Sequence, residues 1–489
     1  MGKVQVTLDI LAHADYVGRI RKTKLTPGLA AFSATIDSVR AQNPAGTILM
    51  DAGDEFAVNF WGGKPVAKAL QLIGTDVLTL GNHEFDWGKE FLEETIAACE
   101  FPVLCSNIVE KDTDRLIKGT RPYTILERQG VKIGVLGITT EYTPYMVEKS
   151  AFSPFQATSA VEAGKRYIPE MREKGADIIV VLAHVPFYVA EDSSISGELW
   201  DILTAIPPVD VFIGGHIPGD YAQVIGETCV LKAGFAEASL GHARLVFDLE
   251  QRKVVERSCQ IIHTDPNAQG RPEIAAFVDE VVGPFEAILN EPLAVAEELW
   301  EMTLARECKL GDFLADCMRF GGQTQLAYMN ATSSGGRIEP GVVTRENFIS
   351  VSRFNDPIHV GEITGEQLYE LVELVFEPER FGNNASILIS GFHMELDHTK
   401  PSPHKVIRLT LPDGTPIDRQ AAYTVATSEY MASGGNDTSK VARQINFRPT
   451  SLKFHDAIFA YARELKVLKV EDWPRVKEIG TPENDNSPF

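Results

Sequence analysis

The chain has 489 residues, 44% hydrophobic and 23% charged, with 46 basic against 68 acidic side chains and a formal net charge of −22. That length exceeds a single hydrophobic core, so two or more domains are expected. The negative field repels phosphate backbones and anionic membrane surfaces, which argues against a nucleic-acid polymer or a membrane as partner; an anionic small substrate would need local metal or arginine charge.

The N-terminal "MGKVQVTLDILAHADYV" holds no apolar stretch long enough for a signal peptide or a membrane span. Six cysteines without a CxxC pair read as reduced thiols. A cytoplasmic location is expected, or a periplasmic or extracellular one if a leader has been removed. Up to about residue 265, apolar runs ("VTLDILAHAD", "GTILMDAGD", "DVLTLGNHE", "FPVLCSNI", "VKIGVLGIT", "DIIVVLAHV", "VDVFIGGH") alternate with amphipathic segments such as "TPGLAAFSATIDSVRAQ". Runs of this length, rich in Val and Ile, suit strands buried on both faces, so the lobe 1–265 is α/β. A helical pattern, "EIAAFVDEVVGPFEAILNEPL", predicts a linker helix over 266–299. Helices followed by β-rich segments predict an α+β lobe over 300–475, and 476–489 reads as a tail.

Several of the first lobe's apolar runs end in polar clusters. Asp15 follows one, Asp54 lies in "DAGDEF", Asn82, His83 and Asp86 lie in "LGNHEFDWG", His184 in "LAHVPF" and His216 in "GGHIPG". Ligand sites of α/β sheets gather at the carboxyl ends of strands. Carboxylate, amide oxygen and imidazole together suit Mn, Fe, Zn or Ni better than calcium or a thiolate-loving ion. Singly, each residue has a plainer reading: Asp54 as a helix N-cap, Asn82 as a turn former, a lone histidine as a packing residue. Five clusters in one lobe favour a site.

On these motifs the first lobe resembles the calcineurin-like metallophosphoesterases, and the two lobes together resemble the 5′-nucleotidase family, also through "CKLGDFLADCMRF". The resemblance implies a β-sandwich flanked by helices, a helical linker and an α+β substrate domain. It implies hydrolysis of a small phosphoester, a nucleotide or a relative of one, with divalent metals. Asp54 matches the bridging aspartate, and Asn82, His184 and His216 complete one half-site. The other half-site keeps Asp15, but Val17 and Pro218 stand where the family has histidines. His13, two residues before Asp15, is a candidate substitute. His83 and Asp86 match the family's catalytic pair, in which a carboxylate orients an imidazole near the departing phosphate.

In the second lobe the family clamps a nucleoside between two aromatic rings, with arginines and an aspartate on phosphate and ribose. Asn330 matches, Gly335 stands at an arginine position, and Arg337 lies two places on. Arg353 and Phe354 occupy the place of a "PFGN" motif. Tyr430 matches one stacking ring, Ser386 stands at the other, and Asn436 and Asp437 replace the end of "GGDG". The alternative reading is a catalytically weak binding protein that keeps the fold and one metal. The thiosulfohydrolases of sulfur oxidation share the two-lobe architecture, but no motif points to their substrate. Losing one base stack costs about 1–3 kcal/mol. AMP and UMP are therefore expected to be turned over with kcat/KM below about 10⁴ M⁻¹ s⁻¹. Steady-state kinetics at or above that value would contradict this alignment of the clamp.

Overall fold

The computed structural model describes residues 4–23, 26–56, 61–190, 194–217, 219–232, 238–303, 306–352, 354–376, 387–436 and 438–480. They fall into two compact units, Met1–Pro284 and Phe285–Phe489. Among the described residues no helix is long and apolar enough to cross a membrane.

Two mixed six-stranded sheets make up the first unit. One runs in the order Lys253–His263, Ser239–Asp248, Gln5–His13, Thr47–Asp51, Val77–Thr79, Val103–Leu104. The other runs Tyr221–Ile225, Thr228–Lys232, Val211–Gly214, Ile178–His184, Val131–Thr139, Tyr123–Arg128. Strand alternation sends Leu8, Ile10, Ala12, Ile48 and Met50 of the first sheet against Ile133, Val135, Val180, Leu182 and Ile213 of the second, forming one buried layer. Each such Leu, Ile or Val contributes about 1.5–3 kcal/mol by leaving water. The opposite face of the second sheet, with Ile179, Val181 and Phe212, is covered by Ile168 and Met171 of helix Ala160–Glu173 and by Leu199 and Ile202 of helix Glu198–Ala205. The expected helix-flanked sandwich is present.

Strands Gln5–His13, Thr47–Asp51 and Val77–Thr79 run parallel, as do Val131–Thr139, Ile178–His184 and Val211–Gly214 in the other sheet. The stretch predicted as one linker helix is interrupted. Helix Pro272–Val282 belongs to the first unit, and Gly283–Phe285 is a 3₁₀ turn. Helix Glu286–Leu289 and strand Pro292–Ala296 follow in the second unit. Pro284 has no N–H to donate, so the α-helical hydrogen-bond ladder is interrupted at "VGPF" although Gly283 keeps helical backbone.

The second unit centres on a five-stranded sheet, Ile387–Ser390, Leu326–Asn330, Ala422–Thr427, Pro357–Thr364, Arg448–Lys453. Ala327 and Met329 face helices Lys309–Gly322 and Phe454–Leu465, whose Phe313, Leu314 and Ile458 fill that side. Leu326 and Tyr328 face the other way, toward Leu368 and Leu371 of helix Gly365–Val375. The expected α+β texture is present. The predicted tail begins instead as strand Val476–Ile479, paired in parallel with His393–Asp397. It is anchored by Arg475, whose buried guanidinium makes two 2.8 Å bonds to Asp316.

Candidate metal and catalytic site

His184 continues the inward row of Ile178, Val180 and Leu182 to the end of its strand. The other polar groups lie on loops that leave parallel strands in left-handed turns. Asp15, Val17, Asp54 and His216 all have positive φ, at 58°, 54°, 61° and 78°. Non-glycine residues held in such backbone cost of order 1–3 kcal/mol each and concentrate at functional sites. The loops are stitched together: Asp15 N–H donates to Gly53 O at 2.9 Å, and Val17 N–H donates to Asp54 O at 3.0 Å. Gly81 must be glycine, since a Cβ there would sit 2.1 Å from Asp54 Oδ1.

Glu84 is the structural centre of these loops, a role that sequence reasoning did not assign. Its carboxylate is buried and accepts from the N–H groups of Asp54 (3.0 Å), Glu55 (2.6 Å), Phe56 (2.9 Å) and Gly81 (2.5 Å). A buried acid two places after Asn82 was the only sequence signal.

Asp54 Oδ1 accepts from His83 N–H at 2.9 Å, and its Oδ2 lies 3.0 Å from His184 Nε2. His184 Nδ1 donates to Ala52 O at 2.7 Å, which fixes the ring with Nε2 facing the Asp54 carboxylate. Nε2 is buried and makes no hydrogen bond of acceptable geometry. His216 Nδ1 lies 2.8 Å from Asn82 Oδ1, and its ring meets that of His184 edge-on at 5.2 Å. Ligand atoms of Asp54, His184 and His216 all lie within 4.8 Å of one another.

Burial alone would push His184 down, but Asp54, Asp15 and Glu84 outweigh it and hold its pKa up to about 10. Burial also opposes ionisation of Asp54, yet His184 and His83 keep its carboxyl well below the usual range. His216, pushed down to about 3 by burial and by His184, stays neutral. Carboxylate, amide oxygen and imidazole therefore converge around an Asp54 that stays ionised. An orphaned Nε2 facing a carboxylate fits a divalent transition ion.

Asp15 accepts from His216 N–H at 3.0 Å, so it joins the cluster through the backbone. Pro218 lies outside the described residues. His13 does not join Asp54, His184 and His216 but groups with Asp51 and Glu55. Strand Gln5–His13 ends at His13, and the left-handed turn at Asp15 breaks the alternation on which the substitution rested. Near Asp15 stands a cation that sequence reasoning missed, Lys232, only 4% exposed at the end of the strand "TCVLK" and 4.6 Å from the Phe187 ring. Burial pushes Lys232 down to about 8, while Asp15 and Asp220 act to keep it charged. A lysine closing a buried apolar strand was the available sign.

His83 opens a short 3₁₀ turn, and its Nδ1 lies 2.8 Å from Asp86 Oδ2. Burial raises the Asp86 carboxyl, and His83 partly offsets that.

In the second unit, Asn330 ends a strand parallel to Ala422–Thr427, so Asn330 and Tyr430 follow the same end of the sheet. Asn330 Oδ1 is buried without a hydrogen bond. Tyr430 Oη donates to Asn436 Oδ1 and accepts from Asn436 N–H, both at 3.2 Å. Phe354 is half-buried just before Pro357–Thr364, whose His359 pairs with Thr427 at that end. Arg337 is exposed and pairs with Glu339 at 2.7 Å. Arg353, Ser386 and Asp437 lie outside the described residues.

Residues 292–443 match the family model "5′-nucleotidase, C-terminal domain", and 45–218 match "bacterial capsule synthesis protein PGA_cap". The 5′-nucleotidase of Diplobatis ommata is 23% identical over 91% of this chain and 84% of its own. The structure of a 5′-nucleotidase precursor from Thermus thermophilus superposes with a TM-score of 0.85 at 21% identity, over 98% of this chain and 100% of that one. The matches show what the chain is similar to: 5′-nucleotidases, over both units. A trifunctional nucleotide phosphoesterase protein, YfkN of Bacillus subtilis, is 25% identical over 89% of the chain, which spans 32% of YfkN's length. Val17 stands where the resemblance implies a histidine, in a loop that keeps Asp15 in place.

Replacing Glu84 by Gln sets an amide N–H against backbone donors that need an acceptor. Leaving a buried donor unmet costs about 1–3 kcal/mol. Urea unfolding of Glu84→Gln is expected to show a loss of that size; unchanged stability would contradict the stitching role of Glu84.

Proposed function

We propose that the protein is a metal-dependent phosphoric-ester hydrolase of 5′-nucleotidase type, acting on a nucleotide or a related small phosphoester. The observation that carries this reading is the convergence of Asp54, Asn82, His184 and His216 beside the His83–Asp86 pair. Members of the family named 5′-nucleotidase, and a relative named as a nucleotide phosphoesterase, support the substrate class.

Asp54, Asn82, His184 and His216 would hold a divalent transition metal, Mn, Zn, Fe or Ni, which when bound supplies charge for a phosphoryl oxygen and a water of lowered pKa. The chain's own residues do the rest. Asp54 fixes the backbone of His83 and so sets the imidazole at a defined place beside the ligands. Asp86 holds Nδ1 and orients the ring, which leaves Nε2 as the atom that carries a proton to the departing oxygen. Lys232 and Asp15 occupy the side where the family has its other half-site, and the lysine supplies positive charge there. In the second unit, Asn330, Phe354, Tyr430 and Asn436, with Arg337, Arg353 and Asp437, are the candidate nucleoside-binding residues.

A second reading is a binding protein that keeps the fold and one ion with little turnover; Val17 at a ligand position favours it. One variant separates the two. His83→Asn is expected to cut phosphoester turnover by roughly 10²–10⁴-fold with metal content unchanged, as loss of acid–base catalysis does. Asp86→Asn should cost less, since Asp86 only orients the ring. Loss of metal along with activity in His83→Asn would reassign His83 as a ligand. A wild type inactive on a broad phosphoester panel would favour the binding protein.

A further inference from the structure

His13 and Asp51 are partners in the register of two adjacent parallel strands. Ala12 and Met50, beside them in sequence, face the other sheet. Alternation therefore turns His13 and Asp51 together to the helix-covered face, where the His13 ring meets Phe32 edge-on at 5.4 Å. Glu55 enters the same space from the loop after Asp54. The three side chains are 3%, 0% and 0% exposed.

His13 Nε2 lies 3.7 Å from Asp51 Oδ2, and His13 Nδ1 lies 3.7 Å from Glu55 Oε1. One ligand atom from each of the three residues lies within 4.8 Å of the other two. These separations are too long for hydrogen bonds. The Nε2–Oδ2 separation approaches the roughly 3.0–3.5 Å between two donors each about 2.1 Å from one ion, and Nδ1, on the other edge of the ring, lies outside that shell. His13 Nε2, Asp51 Oδ2 and Glu55 Oε2 are buried and have no hydrogen-bond partner. The other carboxylate oxygens are held from behind: Asp51 Oδ1 accepts from Gly53 N–H at 2.9 Å, and Glu55 Oε1 accepts from Tyr16 N–H at 3.4 Å. Among the described residues, the ion pairs of Asp51 and Glu55 are with His13 alone. Two carboxylates taken out of water with one imidazole between them stay ionised only with a compensating positive charge.

We propose that His13, Asp51 and Glu55 form a second divalent-cation site, separate from the cluster of Asp54, His184 and His216. One nitrogen with two carboxylates selects a transition ion such as Mn²⁺, Co²⁺ or Zn²⁺ over a cation that prefers oxygen alone. The cation holds together two strands and the loop that carries Asp54, so it braces the neighbouring cluster from the helix side.

The test is metal content and cobalt absorption of the full-length protein, stripped with chelator, reloaded with Co²⁺ and dialysed, in the wild type, His216→Ala, Glu55→Gln and the double variant. Circular dichroism checks that each variant is folded. Two equivalents are expected in the wild type, one in each single variant with a different visible spectrum, and almost none in the double variant. If Glu55→Gln misfolds, His216→Ala decides alone: one retained equivalent supports the site, and none overturns it. A folded Glu55→Gln with wild-type metal content also overturns it and leaves Asp51 and Glu55 as a carboxyl pair sharing a proton. Loss of one equivalent in Glu55→Gln but none in His216→Ala would support this site while removing the ion assigned to the first cluster.

Discussion

The loops that carry the first unit's candidate site are held by one buried carboxylate. Glu84 gathers four backbone N–H groups from the loops after two neighbouring strands, and thereby fixes Asp54 against Gly81 and Asn82. The N–H groups of a left-handed turn cannot enter a sheet ladder and need some acceptor. A buried acid supplies it at one point, and Asp54 is then free to direct one oxygen to the His83 backbone and the other to His184. The strain of positive φ at Asp15, Asp54 and His216 is sustained by this stitching.

Charge organises the rest. The chain as a whole is strongly negative, and its deepest acids lie under the strand ends rather than on the surface. Asp15, Asp51, Asp54, Glu55 and Glu84 are all nearly inaccessible. Burial favours the protonated form of most of them, and they stay ionised only where cations meet them; the chain supplies few, His184, held protonated by its neighbours, and Lys232 beside Asp15. The remainder is the attraction that would draw divalent ions into the unit and, by extension, hold a phosphate close to them.

The sheets and the residues after their strands were readable from sequence because alternating Val, Ile and Leu runs mark buried strands, and loops at parallel strand ends converge. Asp54, Asn82, His184 and His216 come together for that reason. Three features were hidden. Glu84 acts on backbone, which no side-chain spacing reveals. The partnership of His13 with Asp51 requires the register between strands separated by helix Gly28–Arg40, and Lys232 meets Asp15 only across the fold. The linker misled for a local reason: its apolar period persists across Gly283–Pro284, but proline chemistry ends the helix there. In the second unit Asn330 and Tyr430 were traceable to one sheet end, whereas Arg337 turned to Glu339, a surface choice that sequence pattern does not encode.

The central claim is that four residues from distant strand ends hold one ion. Anomalous diffraction from crystals grown with Mn²⁺, recorded above and below the manganese edge, tests it without reference to turnover. The account predicts a peak within coordination distance of Asp54, Asn82, His184 and His216 together. Manganese bound in the crystal with no peak among these four residues would contradict it.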